Sequence, residues 1–520
     1  MKGMVTPSRR YLRSAVFFGV IPLLIFVALY DSNIHGPVDL FHEGESLAPA
    51  SETLYGKLPF RDIYLQHGWG ANLLRTKLAF RLFGASVASN RKFKYDVSGY
   101  LVPLAWIGVY LLLYSLFRKK IWIVPAFALL AFADVLINDR HLLPFLSISL
   151  LAAGTKDARF ASFLAGTFAA AAAFYSLDTG AYALAIGVAF IFLYSTGNQA
   201  CSKASFRGAI ISYLAGWLAG ALPLMAYMAS HGILDDFFAN CYLQLRYQTE
   251  TWGIPVPSIA SLFGPFENTT ARNRAIYLVI KWYYPMLIYA CMCVVLLPGL
   301  ALRKLGEYDG PLLLTTLAGI IFFRSAVGRA DEGHLMYAVA LFWILNICFL
   351  ERAFLHVREK RSQQPDRMPP WLDGFQRLCF NYLSIGVIVL GLVLYFWATC
   401  RNGGIAIRKT RLSKWKKAHL ASHVPLAIER SGGIRVPPKQ AAEIQETVAF
   451  ITAHTQPDEP IFDFSNQGAY YFLSNRTNPT SYCQAVYATP TRLQMEVLEQ
   501  LKSSAPSLVL LRENEPHRPI

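Results

Sequence analysis

Long apolar stretches, separated by short polar segments, run through the first 400 residues of the chain. A bilayer crossing by a helix takes about 20 mostly apolar residues. We predict eleven membrane spans: 14–30, 98–117, 121–137, 142–154, 160–176, 179–196, 208–229, 276–299, 311–323, 335–350 and 378–399. Two of them, 142–154 and 311–323, are short for a crossing. The pattern predicts an α-helical polytopic membrane protein.

Basic residues between the spans indicate the orientation. Lys2, Arg9, Arg10 and Arg13 precede the first span, and no small-residue cleavage site follows it, which favours a signal anchor with a cytoplasmic N-terminus over a cleaved signal peptide. If the spans alternate, every loop on the cytoplasmic side is basic: 118–120, 156–159, 203–207, 303–304 and 351–367. The basic stretch 401–417 would then lie outside, against the rule, but removing one span would misplace several other loops.

Composition agrees with a membrane protein. Of the 520 residues, 54% are hydrophobic and 16% are charged, whereas soluble domains average about 25% charged residues. The net charge of +16 is spread over short clusters between apolar runs, which argues against nucleic-acid binding. The eight cysteines include no CxxC pair, so neither a zinc site nor redox chemistry is indicated.

The tail, 401–520, has the pattern of a small soluble α/β domain outside the membrane domain 1–400. Helical periodicity at 439–454 and 490–503 precedes β-like runs at 460–464 and 507–511. With a cytoplasmic N-terminus and eleven spans before it, this domain is predicted to lie on the extracytoplasmic side. The first outer loop, 31–97, lies on that side too, and its segment 70–94 is basic and amphipathic, as in a helix at a membrane surface.

The first outer loop concentrates carboxylates directly after a span. Asp39, Glu43 and Glu45 lie within seven residues, with His42 among them. Composition alone is compatible with a solvated acidic loop. The loop continues with Gly-Lys-Leu-Pro-Phe-Arg-Asp at 56–62, which ends in Arg61 and Asp62, and later with Leu-Phe-Gly at 82–84.

These motifs resemble bacterial glycosyltransferases of the C-type (GT-C) fold, including the dolichyl-phosphate-mannose-protein mannosyltransferase-like group. The turn 328–335, with Arg329, Asp331 and His334, and the tail segment 470–480 resemble the same proteins. The resemblance implies a GT-C architecture, a polyprenyl-phosphate sugar donor and a first-loop acid near the outer membrane face. The family has Asp-Glu where this chain has His42-Glu43. We predict that Glu43 is the base, with Asp39 and Glu45 as the alternatives.

The predicted chemistry needs a base and cations. A base takes the proton of the acceptor hydroxyl as it attacks C1 of the sugar, and arginine neutralises the departing phosphate best. Arg329, Arg324 and Arg140 lie at the outer ends of spans. Alternatively, each is a structural side chain that pairs with Asp331, Asp139 or lipid.

Asp178 interrupts two apolar runs and is either functional or the N-cap of a helix. His42, Glu43, Glu45, His67 and His334 match no zinc pattern such as HExxH, so we predict no cofactor, with a divalent metal as the alternative.

The sequence thus predicts an enzyme of the bacterial inner membrane that transfers a sugar to a glycan, lipid or protein acceptor in cell-envelope synthesis. The alternative is a transporter or flippase of a lipid-linked or small polar substrate. Transporters usually show repeats and broken spans around midplane charges, whereas the polar residues here lie at the ends of spans. A non-catalytic assembly factor is a third interpretation.

Overall fold

A computed structural model describes the chain over residues 15–30, 34–94, 100–132, 135–154, 158–199, 201–306, 308–359, 386, 390–391, 422–457 and 459–511. It is mainly helical. Ten of the eleven predicted spans coincide with helices, while 378–399 lies almost wholly outside the described residues, as does the basic stretch 401–417.

The helices up to residue 153 are short. They are α1 (Ile21–Leu29), α2 (Gly44–Leu54), α3 (Arg75–Phe83), α4 (Val87–Lys92), α5 (Leu101–Leu116), α6 (Ile123–Phe132) and α7 (Leu142–Ala153). The segment 70–94, predicted to form one or two helices, forms α3 and α4 after a π-helical turn, Gly70–Leu74. Whether that segment lies at a membrane surface stays a prediction.

The helices that follow build the rest of the bundle, and all of them except α14 are longer than those before. They are α8 (Ala158–Tyr175), α9 (Leu177–Gly197), α10 (Lys203–Ser230), α11 (Leu234–Trp252), α12 (Thr269–Ala301), α13 (Asp309–Gly328), α14 (Glu332–Ala338) and α15 (Ala340–Glu359). The helix at the predicted span 311–323 is longer than the span, because α13 continues through the polar residues that flank the apolar run.

Four helices among the described residues are long and apolar enough to cross a membrane, namely α9, α10, α12 and α13. The pair α14 and α15, bent by 47° at residue 339, makes a fifth if it is counted as one span. The apolar stretches containing α1, α5 and α6 are shorter than a full crossing. The chain is therefore an integral membrane protein, as predicted.

Helices α8 and α10 pack with their backbones in close contact. A Cβ atom at Gly166 would clash with the carbonyl oxygen of Tyr213, and one at Gly216 would clash with that of Phe163. The Thr167 hydroxyl donates to the Gly216 carbonyl at 3.1 Å. Small residues at such positions are the usual means of helix association in membranes, because they let dispersion contacts form along both backbones.

The C-terminal unit is a small α/β assembly, as predicted. Its elements are β1 (Val424–Pro425), β2 (Arg435–Val436), α16 (Pro438–His454), β3 (Ile461–Asp463), α17 (Ala469–Ser474), α18 (Thr491–Ser503) and β4 (Leu508–Leu510). Strands β1 and β2 are antiparallel, and β3 and β4 pair in parallel, with Ile461 opposite Leu508. The boundary at residue 400 stays a prediction.

The C-terminal unit packs against the first loop, 34–94, around a shared apolar core. Leu47 and Phe80 of the loop are buried with Tyr471 and Phe472 of the unit, and the rings of Phe80 and Phe472 stack at 5.0 Å. Buried Glu52 of the loop accepts a hydrogen bond from the backbone of Asn478 at 3.0 Å. The first loop and the C-terminal unit therefore lie at the same end of the helix bundle.

Polar contacts also hold the opposite end of the bundle together. Glu351 of α15 accepts hydrogen bonds from the backbone of Arg118 and Lys119, which follow α5. Arg352 pairs with Asp309, the first residue of α13, at 2.9 Å. The helices α5, α13 and α15 therefore all have one end here and the other end toward the first loop.

Candidate functional site

Side chains from five distant segments converge at the end of the bundle beneath the C-terminal unit. We call this set the polar cluster; its members are Glu45, His67, Arg140, Asp178, Arg329, Asp331, His334 and Tyr487. Direct contacts or electrostatic interactions link each member to at least one other. Six of the eight are among the candidate site residues predicted from the sequence.

Glu45 is the carboxylate of the first loop that faces this cluster. It is the second residue of α2, where the helix dipole favours a negative charge, and only 10% of its side chain is exposed. The Tyr487 hydroxyl donates to its Oε1, and Nε2 of His67 lies 3.6 Å from the same oxygen. Burial alone would raise the pKa of Glu45, but His67 and Tyr487 outweigh it and hold the pKa below its ordinary value.

Glu43 is held by a different partner. Nε and Nη2 of Arg91 donate to its two carboxylate oxygens at 3.0 and 2.5 Å. Arg91 is itself buried and also donates to the backbone carbonyls of Ile34, Gly36 and Pro37. A bidentate pair of this kind fixes both side chains, so Glu43 ties the start of α2 to the preceding chain.

Asp39 and His42 form an exposed pair beside the cluster. Nδ1 of His42 lies 2.7 Å from Oδ2 of Asp39, and the backbone N–H of His42 donates to Oδ1. The hydrogen bond from His42 lowers the pKa of Asp39, and the same contact raises the pKa of His42. The charges of Glu45 and Arg329 also act on His42, which places it at the rim of the cluster.

Arg140 and Asp178 pair at the heart of the cluster. Nη2 of Arg140 donates to both carboxylate oxygens of Asp178 at 2.8 Å, and its Nε donates to the hydroxyl of Ser176. Asp139 pairs with Arg75 instead, and its Oδ2 lies 2.9 Å from Nη1 of that arginine. Ser176 occupies the N-cap of α9, so Asp178 does not serve as that cap.

The turn between α13 and α14 supplies the other cationic group. Nε of Arg329 lies 2.6 Å from Oδ2 of Asp331, whose Oδ1 accepts from the backbone of His334 and lies 2.9 Å from its Nδ1. The guanidinium of Arg329 stacks over the ring of Trp252 at 4.5 Å. Among the described residues, neither Nη group of Arg329 donates a hydrogen bond to a protein acceptor.

The remaining candidates lie at or beyond the edge. Arg324 lies close to Tyr182, a side chain on which the charges of Asp178 and Arg140 also act. Arg61 pairs with Asp236 of α11 at 3.0 Å, and Asp62 accepts from the backbone of Leu58. Arg61 and Asp62 therefore shape the first loop and lie outside the cluster.

Three residues of the site were not among the predicted site residues. His67 had been considered only as a metal ligand, and neither Tyr487 nor Trp252 had been singled out. The rings of Trp252 and Tyr487 lie 5.8 Å apart, and Tyr487 reaches Glu45 from the far end of the chain. Nothing in the local sequence of either aromatic residue indicates this contact, because it depends on how the C-terminal unit packs.

A small pocket lies next to Gly68 and Leu177, the neighbours of His67 and Asp178. Its lining includes four aromatic side chains, Phe60, Trp69, Phe174 and Phe237, and the amides of Asn240 and Gln244. Within the described ranges, no three His, Cys, Asp or Glu side chains come close enough together to hold a metal ion.

Comparison with known proteins gives limited information. No family model and no curated protein matches the chain. Two solved structures of ArnT from Cupriavidus metallidurans are similar. The one bound to undecaprenyl phosphate is 12% identical with a TM-score of 0.44, over 89% of this chain and 85% of that chain. The apo structure is 11% identical with a TM-score of 0.44, over 96% and 89%. Likeness of this degree does not indicate an activity for this chain, which must be inferred from its own residues.

Proposed function

We propose that this protein is a membrane glycosyltransferase that moves a hexosyl or pentosyl group from a polyprenyl-phosphate donor to an acceptor hydroxyl at the outer face of the membrane. The observation that carries the proposal is the polar cluster, where a buried, ionised carboxylate and two arginines meet at one end of an apolar helix bundle. The polyprenyl-phosphate donor is what the resemblance of the first-loop motifs to GT-C enzymes implies.

Glu45 is the base in this proposal, in place of Glu43. A base must be ionised and must have a lone pair directed at the acceptor hydroxyl. Both oxygens of Glu43 are occupied by Arg91, whereas one oxygen of Glu45 receives the Tyr487 hydroxyl and the low pKa keeps the carboxylate charged at neutral pH. Tyr487 and His67 hold this carboxylate in position.

Arg329 and Arg140 are the groups that meet the phosphate. Arg329 faces Asp331 through its Nε, and its stacking on Trp252 fixes the plane of the guanidinium. A fixed planar fork suits two oxygens of a phosphate. Arg140, held by Asp178, adds a second positive charge on the other side of the cluster.

The reaction follows from these positions. Glu45 accepts the proton as the acceptor oxygen forms its bond to C1 of the sugar. The bond between C1 and the phosphate oxygen breaks, and its electron pair remains on the lipid phosphate. Arg329 and Arg140 stabilise the charge that develops on that oxygen, and such preorganised groups lower the barrier most where water is scarce.

The test is release of polyprenyl phosphate from a panel of polyprenyl-phosphate hexoses and pentoses by the protein in vesicles. Glu45→Gln keeps the shape of the side chain but takes no proton, and we expect release to fall by about 10²–10⁴-fold with the melting temperature unchanged. Arg329→Lys should also impair turnover, because a point charge loses the bidentate grip.

Asp39→Asn is the matched control, because this exposed carboxylate belongs to the same loop but pairs with His42. We expect it to retain most activity. A wild-type rate in Glu45→Gln would show that Glu45 is not the base. If the wild-type protein itself releases no lipid phosphate from any donor but moves the intact donor across the vesicle membrane, the flippase alternative is correct.

A further inference from the structure

Helix α11 packs Leu234, Phe237 and Leu243 inward, but it also buries two amides and leaves large apolar side chains exposed on the other side. Asn240 and Gln244, one turn apart, are 3% and 8% exposed. Phe238, Tyr242 and Leu245, on the opposite face, are 52%, 59% and 76% exposed. Amphipathic helices of soluble proteins bury the apolar stripe and expose the polar one, so the environment of the outward face of α11 is apolar.

The inward polar face has a specific partner. Oδ1 of Asn240 accepts from the backbone N–H of Leu65 at 3.1 Å, and its Nδ2 donates to the Leu65 carbonyl at 3.2 Å. The side chain of Gln244 donates to the same carbonyl. These bonds satisfy a stretch of chain that lacks strand partners of its own, which explains why the amides are buried. They leave the aromatic face outward.

The outward face of α11 follows closely in the chain on the apolar surface of a candidate membrane span. Helix α10, one of the four long apolar helices, exposes Ile211, Leu218 and Leu222 along its length. It ends at Ser230, and α11 begins four residues later at Leu234. Tyrosine and phenylalanine on the outward face, with Arg246 beside them, are the residue types that settle at the headgroup level.

We propose that α11 lies in the membrane surface, with Phe238, Tyr242 and Leu245 inserted among the lipids of the leaflet nearest the C-terminal unit. Part of its inward face holds Leu65, two residues before His67, and Trp252 at its end stacks on Arg329. The helix therefore sets the depth of the polar cluster relative to the headgroups. The proposal is independent of the chemistry that the cluster performs.

The experiment uses the full-length protein with an environment-sensitive fluorescent amino acid at position 245, in vesicles of phosphatidylethanolamine and phosphatidylglycerol. Some of the lipids carry bromine on the acyl chain near the headgroup, and iodide is the quencher in the buffer. The matched control carries the same amino acid at position 250, since Glu250 is exposed on the same helix but about 140° away from Leu245 around its axis.

We expect brominated lipid to quench the label at 245 and iodide to leave it bright, with the reverse at 250. Equal quenching of both labels by iodide would overturn the proposal, because the face would then be in water. Protection of position 245 from both quenchers would overturn it as well, because protein would then cover the face, from a second copy or from another part of this chain.

Discussion

At the scale of single residues, Glu43 and Glu45 differ in what their carboxylates meet. Arg91 holds both oxygens of Glu43 and ties it to the backbone of the first loop. Glu45, two residues on, meets Tyr487 and His67 inside the cluster. The difference in partners, and not a difference in chemistry, is the reason that Glu45 and not Glu43 is the proposed base.

The low pKa of Glu45 predicts how activity depends on pH. The carboxylate stays ionised until the pH falls through a pKa below the ordinary value of 4.5, so the acid limb of activity lies below that pH. Tyr487→Phe removes a hydrogen bond that lowers this pKa, and the acid limb should move to higher pH. The measurement is the pH profile of donor turnover.

Tyr64→Phe is the control for this shift. Its ring lies 5.8 Å from that of Tyr487, but its hydroxyl donates to Gln66 at 2.9 Å and not to Glu45. The acid limb of activity in the Tyr64→Phe variant should match that of the wild type. An unchanged acid limb in Tyr487→Phe would mean that another group limits activity at low pH.

Removal of Arg91 should cost stability. Arg91→Ala leaves Glu43 without its cation and three carbonyls without a donor, and breaking a buried pair from one side costs about 3–5 kcal/mol. Glu43 is partly exposed, so we expect the free energy of unfolding to fall by the lower value, about 3 kcal/mol. Thermal unfolding in detergent measures this loss. Arg81 is exposed, and Arg81→Ala should change the free energy of unfolding by no more than about 0.5 kcal/mol. Equal losses of stability in the two variants would contradict the structural role of Arg91.

The sequence predicted six of the eight members of the polar cluster as candidates, and their roles stay predictions. Arg140 and Arg329 were predicted from their place at the outer ends of spans, and Asp331 and His334 from the resemblance of the turn 328–335 to GT-C enzymes. The choice between Glu43 and Glu45 depends on Arg91, which lies 48 residues from Glu43. Local spacing carries no information on a partner at that distance.

At the scale of elements, the contact of α8 with α10 leaves no room for a side chain at Gly216. Gly216→Val would push its Cβ into the carbonyl of Phe163 and force the helices apart. Overpacking of this kind costs about 1–3 kcal/mol, measurable as a lower melting temperature. Ala219→Val, exposed one turn later on the same helix, should have little effect. Similar losses in both variants would mean that the substitution acts through helix propensity.

Element boundaries were predictable where hydrophobicity alone decides them. The apolar runs located ten helices, and the β-like runs at 460–464 and 507–511 located β3 and β4 of the C-terminal unit. Helix α11 was assigned only to an outer loop, 230–275. Its apolar face meets no partner among the described residues and its polar face meets a backbone, so periodicity could indicate a helix but not which side is buried.

At the scale of the whole molecule, the first loop and the C-terminal unit form one body although more than 300 residues separate them. Leu47 and Phe80 share a core with Tyr471 and Phe472, and Glu52 reaches Asn478. Through Tyr487 the same body completes the polar cluster. The resemblance of both segments to one family is consistent with a unit that works together.

The shared core has a consequence for the arithmetic of membrane crossings. Two segments that touch lie on one side of the bilayer, so the chain between residues 94 and 422 must cross it an even number of times. The predicted ten spans in that interval obey this parity, whereas removal of one span, which would move the basic stretch 401–417 to the cytoplasmic side, would break it. Reporter fusions after residues 120 and 199 should report one compartment, and a fusion after residue 430 the other; a common compartment for 120 and 430 would contradict the parity.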